Sequence, residues 1–146
     1  VALVAGGGIV DVLRVVAVVS LAANLANLLD RAPGRVGKVG QLTFVAAAVA
    51  QPEPFAAGAV VMGAAASLLP WDLREDHMLG DAGSNVIGGV VGVFLLFAVG
   101  DDRGQWILAG VLLGMNLLSE VVSFTKVIDS TPPLRWLDRL GAPHRR

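Results

Sequence analysis

Residues 85–100 read NVIGGVVGVFLLFAVG, and after the first asparagine no polar side chain recurs at helical spacing. A helix of this kind has no wettable face in water, whereas in lipid every backbone group is satisfied internally and an apolar perimeter is required. The same character extends over five charge-free runs, at residues 15–29, 39–52, 54–71, 82–100 and 105–119, with a shorter apolar piece at 1–10. A bilayer core about 30 Å thick takes about 20 helical residues, so several runs are short. Arg14, Lys38 and Arg103 are therefore expected to snorkel, with Trp71 and Trp106 at the interfaces. The run from residue 39 is cut early by Gln51-Pro52-Glu53-Pro54 and reads either as half of a helical hairpin or as a segment buried by neighbours.

Composition agrees with a membrane chain: 55% of residues are hydrophobic and 16% charged, where soluble domains carry about 45–50% and about 25%. The expected fold is all-α, a polytopic transmembrane bundle of about five spans over residues 1–124, followed by a cytosolic amphipathic tail over 125–146. A soluble helical bundle is the alternative, and residues 85–100 weigh against it. With no cysteine, disulfides, thiolate metal sites and cysteine nucleophiles are excluded. A net charge of −1 gives no footprint for nucleic acid. Residue 1 is valine, so the chain is expected to be a fragment of a longer membrane protein.

Five alternating spans put loops 30–38 and 72–84 and the tail after Ser119 on one face. Every Lys and Arg except Arg14 and Arg103 lies there, among them Arg31, Arg35, Lys38, Arg74, Lys126, Arg145 and Arg146. The positive-inside rule makes this face cytosolic; the chain is expected to be integral to the plasma (inner) membrane. Two polar clusters on that face call for an explanation. In NLANLLD, Asn24, Asn27 and Asp30 recur every three residues and are expected to form one polar stripe on a continuing helix. Intramembrane polar groups are functional candidates, and the competing reading is interhelical glue between asparagines. Arg31, Arg35 and Lys38 follow, either as phosphate ligands or as positive-inside anchors.

The second cluster, WDLREDHMLGDAGSN at residues 71–85, sets Asp72, Glu75, Asp76 and Asp81 against Arg74. Asp81 lies between Gly80 and Gly83, with Ser84 opening the next helix, expected near Asn85. Glycine permits close ligand approach, a helix start favours anions, and a carboxylate there suits a magnesium ion bridged to diphosphate oxygens. The plainer reading makes Asp81 or Ser84 a helix cap, with His77 solvated. Gly88/Gly92 and Gly110/Gly114 have GxxxG spacing, read as helix packing, while a homodimer stays open. In the tail, Leu134, Leu137 and Leu140 with Trp136 and intervening arginines fit an amphipathic surface helix. Glu120, near the end of the last span, calls for a partner.

Met78-Leu79-Gly80-Asp81-Ala82-Gly83-Ser84 resembles the (F/M)-x-G-D-x-G-S motif of the polyprenyl-phosphate N-acetylhexosamine-1-phosphate transferase superfamily, which includes phospho-N-acetylmuramoyl-pentapeptide transferase. Residues 24–30 are similar to that family's N-x-x-N-L-x-D motif, and the two occur in the family's order over most of this chain. The resemblance implies transfer of a sugar-1-phosphate from a UDP-sugar to polyprenyl (undecaprenyl) phosphate, with release of UMP, in envelope or cell-wall biosynthesis. It implies Mg2+ as cofactor held by Asp81, with Asp30 and Asn27 at the reacting centre. Asn24, Arg31, Arg35, Gly80, Gly83 and Ser84 are then expected to bind substrate. The family's G-x-D-G after the first motif is replaced by Arg31-Ala32-Pro33-Gly34-Arg35, and its histidine-rich loop is absent, only His77 and His144 being present. A catalytically inactive relative binding polyprenyl phosphate or a partner protein is the alternative. A transporter ranks last, because the polar groups gather at the membrane edge and not at its midplane.

Overall fold

The computed structural model describes residues 7–50, 52 and 55–142. The parts of the sequence reading that fall on residues 1–6, on Gln51, Glu53 and Pro54, and on His144, Arg145 and Arg146 lie outside them. Seven helices are formed among the described residues: α1 (Ile9–Leu29), α2 (Arg35–Ala50), α3 (Phe55–Leu73), α4 (Gly80–Val99), α5 (Asp102–Val121), α6 (Phe124–Ser130) and α7 (Pro132–Arg139). The chain is an all-α bundle. Four of these helices, α1, α3, α4 and α5, are long and apolar enough to cross a membrane. The fifth expected span, α2, has 16 residues, roughly 24 Å at about 1.5 Å per residue.

Each long helix overruns the charge-free run that announced it, because helix geometry continues until a backbone group finds another partner. α1 begins at Ile9, taking in Asp11 and Arg14. Asp11 Oδ2 accepts from Gly8 N–H at 2.9 Å, tying down the start of the helix. Arg14 does not snorkel as expected. It is buried and meets Asp11 Oδ1 and Asp102 Oδ1 at 2.8 Å each, joining the starts of α1 and α5. α3 continues through Pro70 to Leu73, which moves Asp72 from the expected loop into the last helical turn. α4 starts at Gly80, five residues before the expected position, so Asp81 and Ser84 belong to its first turns.

α4 is the central helix, packed on α1, α2 and α3, with α5 packed chiefly on α1 and also touching α4. Val36, Phe44, Met62, Ile87, Val91 and Phe94 fill the core among α2, α3 and α4, where Phe44 and Phe94 meet edge-to-face with ring centroids 4.7 Å apart. A second cluster of Val18, Ala22, Leu25, Leu96, Ala109 and Leu112 joins α1, α4 and α5. Large apolar side chains also cover the outside, with Val49, Val60 and Val121 each more than three-quarters exposed. An apolar perimeter around an apolar core is the pattern of a lipid-solvated bundle.

The two GxxxG spacings have different fates. A Cβ on Gly88 would lie 2.5 Å from the Ala22 carbonyl oxygen and 2.7 Å from Ala23 Cα, and one on Gly92 would lie 2.9 Å from Ala22 Cβ. The α1 backbone therefore rests on these glycines. Gly110 and Gly114, expected to pack as well, have open space where a Cβ would stand. Gly88→Ala is expected to destabilise the protein by about 1–3 kcal/mol, since backbone atoms must shift. Gly110→Ala should be neutral or slightly stabilising, because only helix propensity changes. Thermal unfolding in detergent micelles tests both, and equal effects would show that Gly88 does not set the α1–α4 approach.

Candidate functional site

The close α1–α4 crossing brings the two motif ends together. Asn27, in the last turns of α1, faces Ser84 in the second turn of α4, with Ser84 Oγ 3.3 Å from Asn27 Oδ1 and 2.9 Å from the Gly80 carbonyl oxygen. A hydroxyl carries one proton and cannot serve both acceptors fully. An Asn27 amide turned about its last bond would instead donate Nδ2–H to Ser84 Oγ, leaving the hydroxyl proton to Gly80. Ser84 is fully buried, so this contact lies in the helix seam. Asp30 caps the C-terminus of α1, and its backbone N–H bonds the carbonyls of Ala26 and Asn27 at 3.1 Å each.

The Asp30 carboxylate lies beside the Gly80 backbone N–H, which favours its charged form, and near the carboxylates of Asp72 and Asp81. Its pKa is raised above the ordinary carboxylate value, first by withdrawal from water and then by those two like charges, with the Gly80 N–H opposing. Gly80 can present its N–H this way because it adopts φ +60°, a left-handed conformation open to glycine. The turn after Asp30 is built similarly. Gly34, at φ +69°, donates its N–H to Asp72 Oδ2 at 3.1 Å, and a Cβ on it would collide with Leu73. Asp72 is only 6% exposed. Its sequence neighbours suggest an acidic loop, and no local signal marks it as the acceptor for a turn 38 residues earlier.

Asp30, Arg31, Asp72 and Glu75 line a cleft of about 330 Å³. Asp81 stands exposed in the first turn of α4, and Leu79 at the cap position makes no side-chain bond, so neither Asp81 nor Ser84 caps the helix. Arg31 is exposed and also borders a second cleft of about 490 Å³, whose walls include Leu28, Glu120, Val121, Phe124 and Lys126. The partner sought for Glu120 is thus open space shared with two cations. Among the described residues, no three His, Asp or Glu side chains converge to cage a metal ion. Magnesium commonly takes one or two protein carboxylates and completes its shell with phosphate oxygens and water, so the hard oxygen donors of Asp30 and Asp81 suit it when a diphosphate is bound.

Two expected site residues are not part of this assembly. Asn24 Nδ2 donates to Asn116 Oδ1 of α5 at 2.6 Å, while Asn116 Nδ2 donates to the carbonyls of Leu112 and Leu21 at 2.7 and 3.1 Å. This is interhelical glue, and Asn116 is one of two amides, with Gln105, in the run 105–119. The expected single stripe breaks because a step of three residues falls 60° short of a full turn at about 100° per residue. Arg35, expected at substrate, is buried and bidentate to Asp138 of α7: Nε–Oδ1 2.7 Å and Nη2–Oδ2 3.0 Å, with Nη1 donating to Thr125 Oγ1 at 3.1 Å. Lys38 Nζ donates to the carbonyls of Leu137, Asp138 and Leu140, closing the C-terminal end of α7. The tail is therefore clamped onto the start of α2.

No model of a known protein family, no curated protein and no solved structure matches the chain.

Asp138→Ala leaves the Arg35 guanidinium, 3% exposed, without its carboxylate and is expected to cost about 3–5 kcal/mol. The double replacement Arg35→Met with Asp138→Leu should recover much of that loss in the same thermal unfolding assay. An Asp138→Ala protein as stable as the parent would remove the clamp. Asp30 carries the opposite sign. With its folded pKa above the unfolded value of 3.8, its ionisation penalises the native state as pH rises through the folded pKa, and the penalty is absent below the unfolded one. Asp30→Asn keeps an oxygen for Gly80 N–H and should raise the melting temperature at pH 7 but not below pH 3.8, the gain appearing between those limits.

Proposed function

We propose that the chain is an integral membrane transferase that moves a sugar-1-phosphate from a UDP-sugar to polyprenyl phosphate and releases UMP, with the Asp30–Asp81 end of the bundle in the cytosol. The observation that carries this reading is the meeting of two sequence-distant motifs at one end of the bundle, where Asn27 contacts Ser84 and Asp30 lies beside Gly80. In the reaction, an oxygen of the lipid phosphate bonds to the sugar-linked phosphorus, and the bond from that phosphorus to the bridging oxygen breaks. UMP leaves with the electron pair.

The chemistry concentrates negative charge, so the barrier is lowered mainly by neutralisation and positioning. Asp81 and Asp30 would hold a magnesium ion, which when bound with the diphosphate neutralises phosphate charge. Burial first, and then the carboxylates of Asp72 and Asp81, raise the pKa of Asp30, and a bound cation would offset that repulsion. Asn27 would orient the sugar nucleotide through its amide. Arg31, standing between the two clefts, would hold phosphate. The cleft bordered by Arg31 and Lys126 has apolar walls of Leu28, Val121 and Phe124, which suits a phosphate carried on a hydrocarbon chain.

A second reading, an inactive relative that binds polyprenyl phosphate, is favoured by the engagement of Arg35 with Asp138, which takes one cation away from substrate. A single assay separates the two. Protein reconstituted in liposomes with polyprenyl phosphate and a panel of UDP-sugars is expected to release UMP only with magnesium. Asp81→Asn should lower that release by at least about a hundredfold while inserting and melting like the parent. Unchanged turnover in Asp81→Asn would remove it from the mechanism, and lipid binding without UMP release for every sugar would favour the inactive reading.

A further inference from the structure

The end of α3 and the docked α7 enclose two adjoining clefts that the proposed transfer does not use. One, of about 470 Å³, has an apolar wall of Leu69, Pro70 and Leu73 from α3 and two cations, Arg74 and Arg139. The other, also about 470 Å³, shares Arg139 and Gly141 with the first and adds Arg135 and Trp136. No carboxylate lines either cleft. Arg74 and Arg135 form no ion pair among the described residues, and Arg139 forms one long pair, with Asp129. Arg139 Nη2 is 3.9 Å from Asp129 Oδ1, beyond hydrogen-bond reach, and Arg135 makes one long contact of 3.4 Å to the Asp129 carbonyl oxygen. Arg74 lies over the Trp71 ring, 6.0 Å from its centroid. Glu75, next to it in sequence, lines the Asp30 cleft instead.

The level of these clefts is fixed by α3, a candidate span whose last turn carries Pro70 and Leu73. Trp136, 67% exposed on α7, stands at the same end, where interfacial tryptophan is favoured. α7 is held in this place by the buried Arg35–Asp138 pair and by Lys38.

We propose that this α3–α7 seam is a binding site for an anionic phospholipid, its headgroup phosphate among Arg74, Arg139 and Arg135 and an acyl chain along the Leu69–Pro70–Leu73 wall. The arginine fork suits phosphate oxygens. The apolar wall on a membrane-length helix selects a lipid over a free phosphate, because a soluble anion leaves that wall without a partner. Basic pockets at helix ends near the membrane surface select anionic headgroups for the same electrostatic reason. The site is independent of whether the chain turns over a UDP-sugar.

Native mass spectrometry of the full chain in detergent micelles, titrated with phosphatidylglycerol or phosphatidylcholine, tests the proposal. Phosphatidylglycerol is expected to bind at least about tenfold more tightly, and Arg74→Gln with Arg139→Gln to weaken it about tenfold to thirtyfold without affecting phosphatidylcholine. Arg103→Gln, at the opposite end of the bundle, should keep the preference. Arg135→Gln, on the exposed face of α7, supplies a milder variant with a several-fold loss should the double variant fail to fold. Excess glycerol phosphate should not displace the lipid. Equal binding of the two lipids by the parent, a preference that survives the arginine variants, or displacement by glycerol phosphate would each overturn the site.

Discussion

The contact of the α1 backbone with Gly88 and Gly92 of α4 is the constraint on which the other arrangements depend. Without Cβ atoms at these positions, the carbonyl of Ala22 and the Cα of Ala23 approach α4 directly. In lipid, where apolar side chains gain little by leaving hydrocarbon, such close packing is a main source of helix affinity. It also fixes register. Asn27 lies one turn beyond the contact on α1 and Ser84 one turn before it on α4, so antiparallel passage sets them side by side and leaves Asp30 against the Gly80 N–H. A seam of small residues thereby becomes a polar junction at one end of the bundle.

Both ends of the bundle are fastened by arginine, in different ways. At one end Arg14 bridges Asp11 and Asp102, joining the starts of α1 and α5. At the other, Arg35 and Lys38 draw α7 over the first turn of α2, a few residues from the Gly34–Asp72 bond that shapes the turn after Asp30. A buried ion pair adds little net stability compared with apolar packing, but it is costly to break by halves and so fixes orientation. The clamp gives the C-terminal segment a defined position and creates the arginine-lined seam along α3. Asn24 and Asn116 act similarly between α1 and α5 within the membrane-length helices.

The separation of charges at the polar end follows from this scaffold. Arg31 is the cation exposed beside Asp30, while Arg35 is withdrawn into the clamp. Burial first, and then the nearby Asp72 and Asp81, oppose ionisation of Asp30, while among the described residues these carboxylates do not converge into a metal cage. In the proposed transferase, a diphosphate-bearing substrate would bring the remaining oxygens that a cation at Asp30 and Asp81 requires.

The sequence by itself determined the membrane character and the all-helical class, because an apolar run with no wettable face has few other solutions, and it marked Asn27, Asp30, Asp81 and Ser84 as residues to watch. Its charge-free runs located the long helices but not their ends, since Asp11, Arg14 and Asp72 are tolerated in helical turns where another helix or the Gly34 turn supplies partners, and Asp81 stands exposed in the first turn of α4. Tertiary structure alone decided which polar residues meet. The pairings of Asn24 with Asn116, Arg35 with Asp138 and Asp72 with Gly34 span 92, 103 and 38 residues. No local pattern encodes such pairings, because a side chain's partner is set by helix crossing and register, as where Asn27 meets Ser84 across the α1–α4 seam at Gly88 and Gly92.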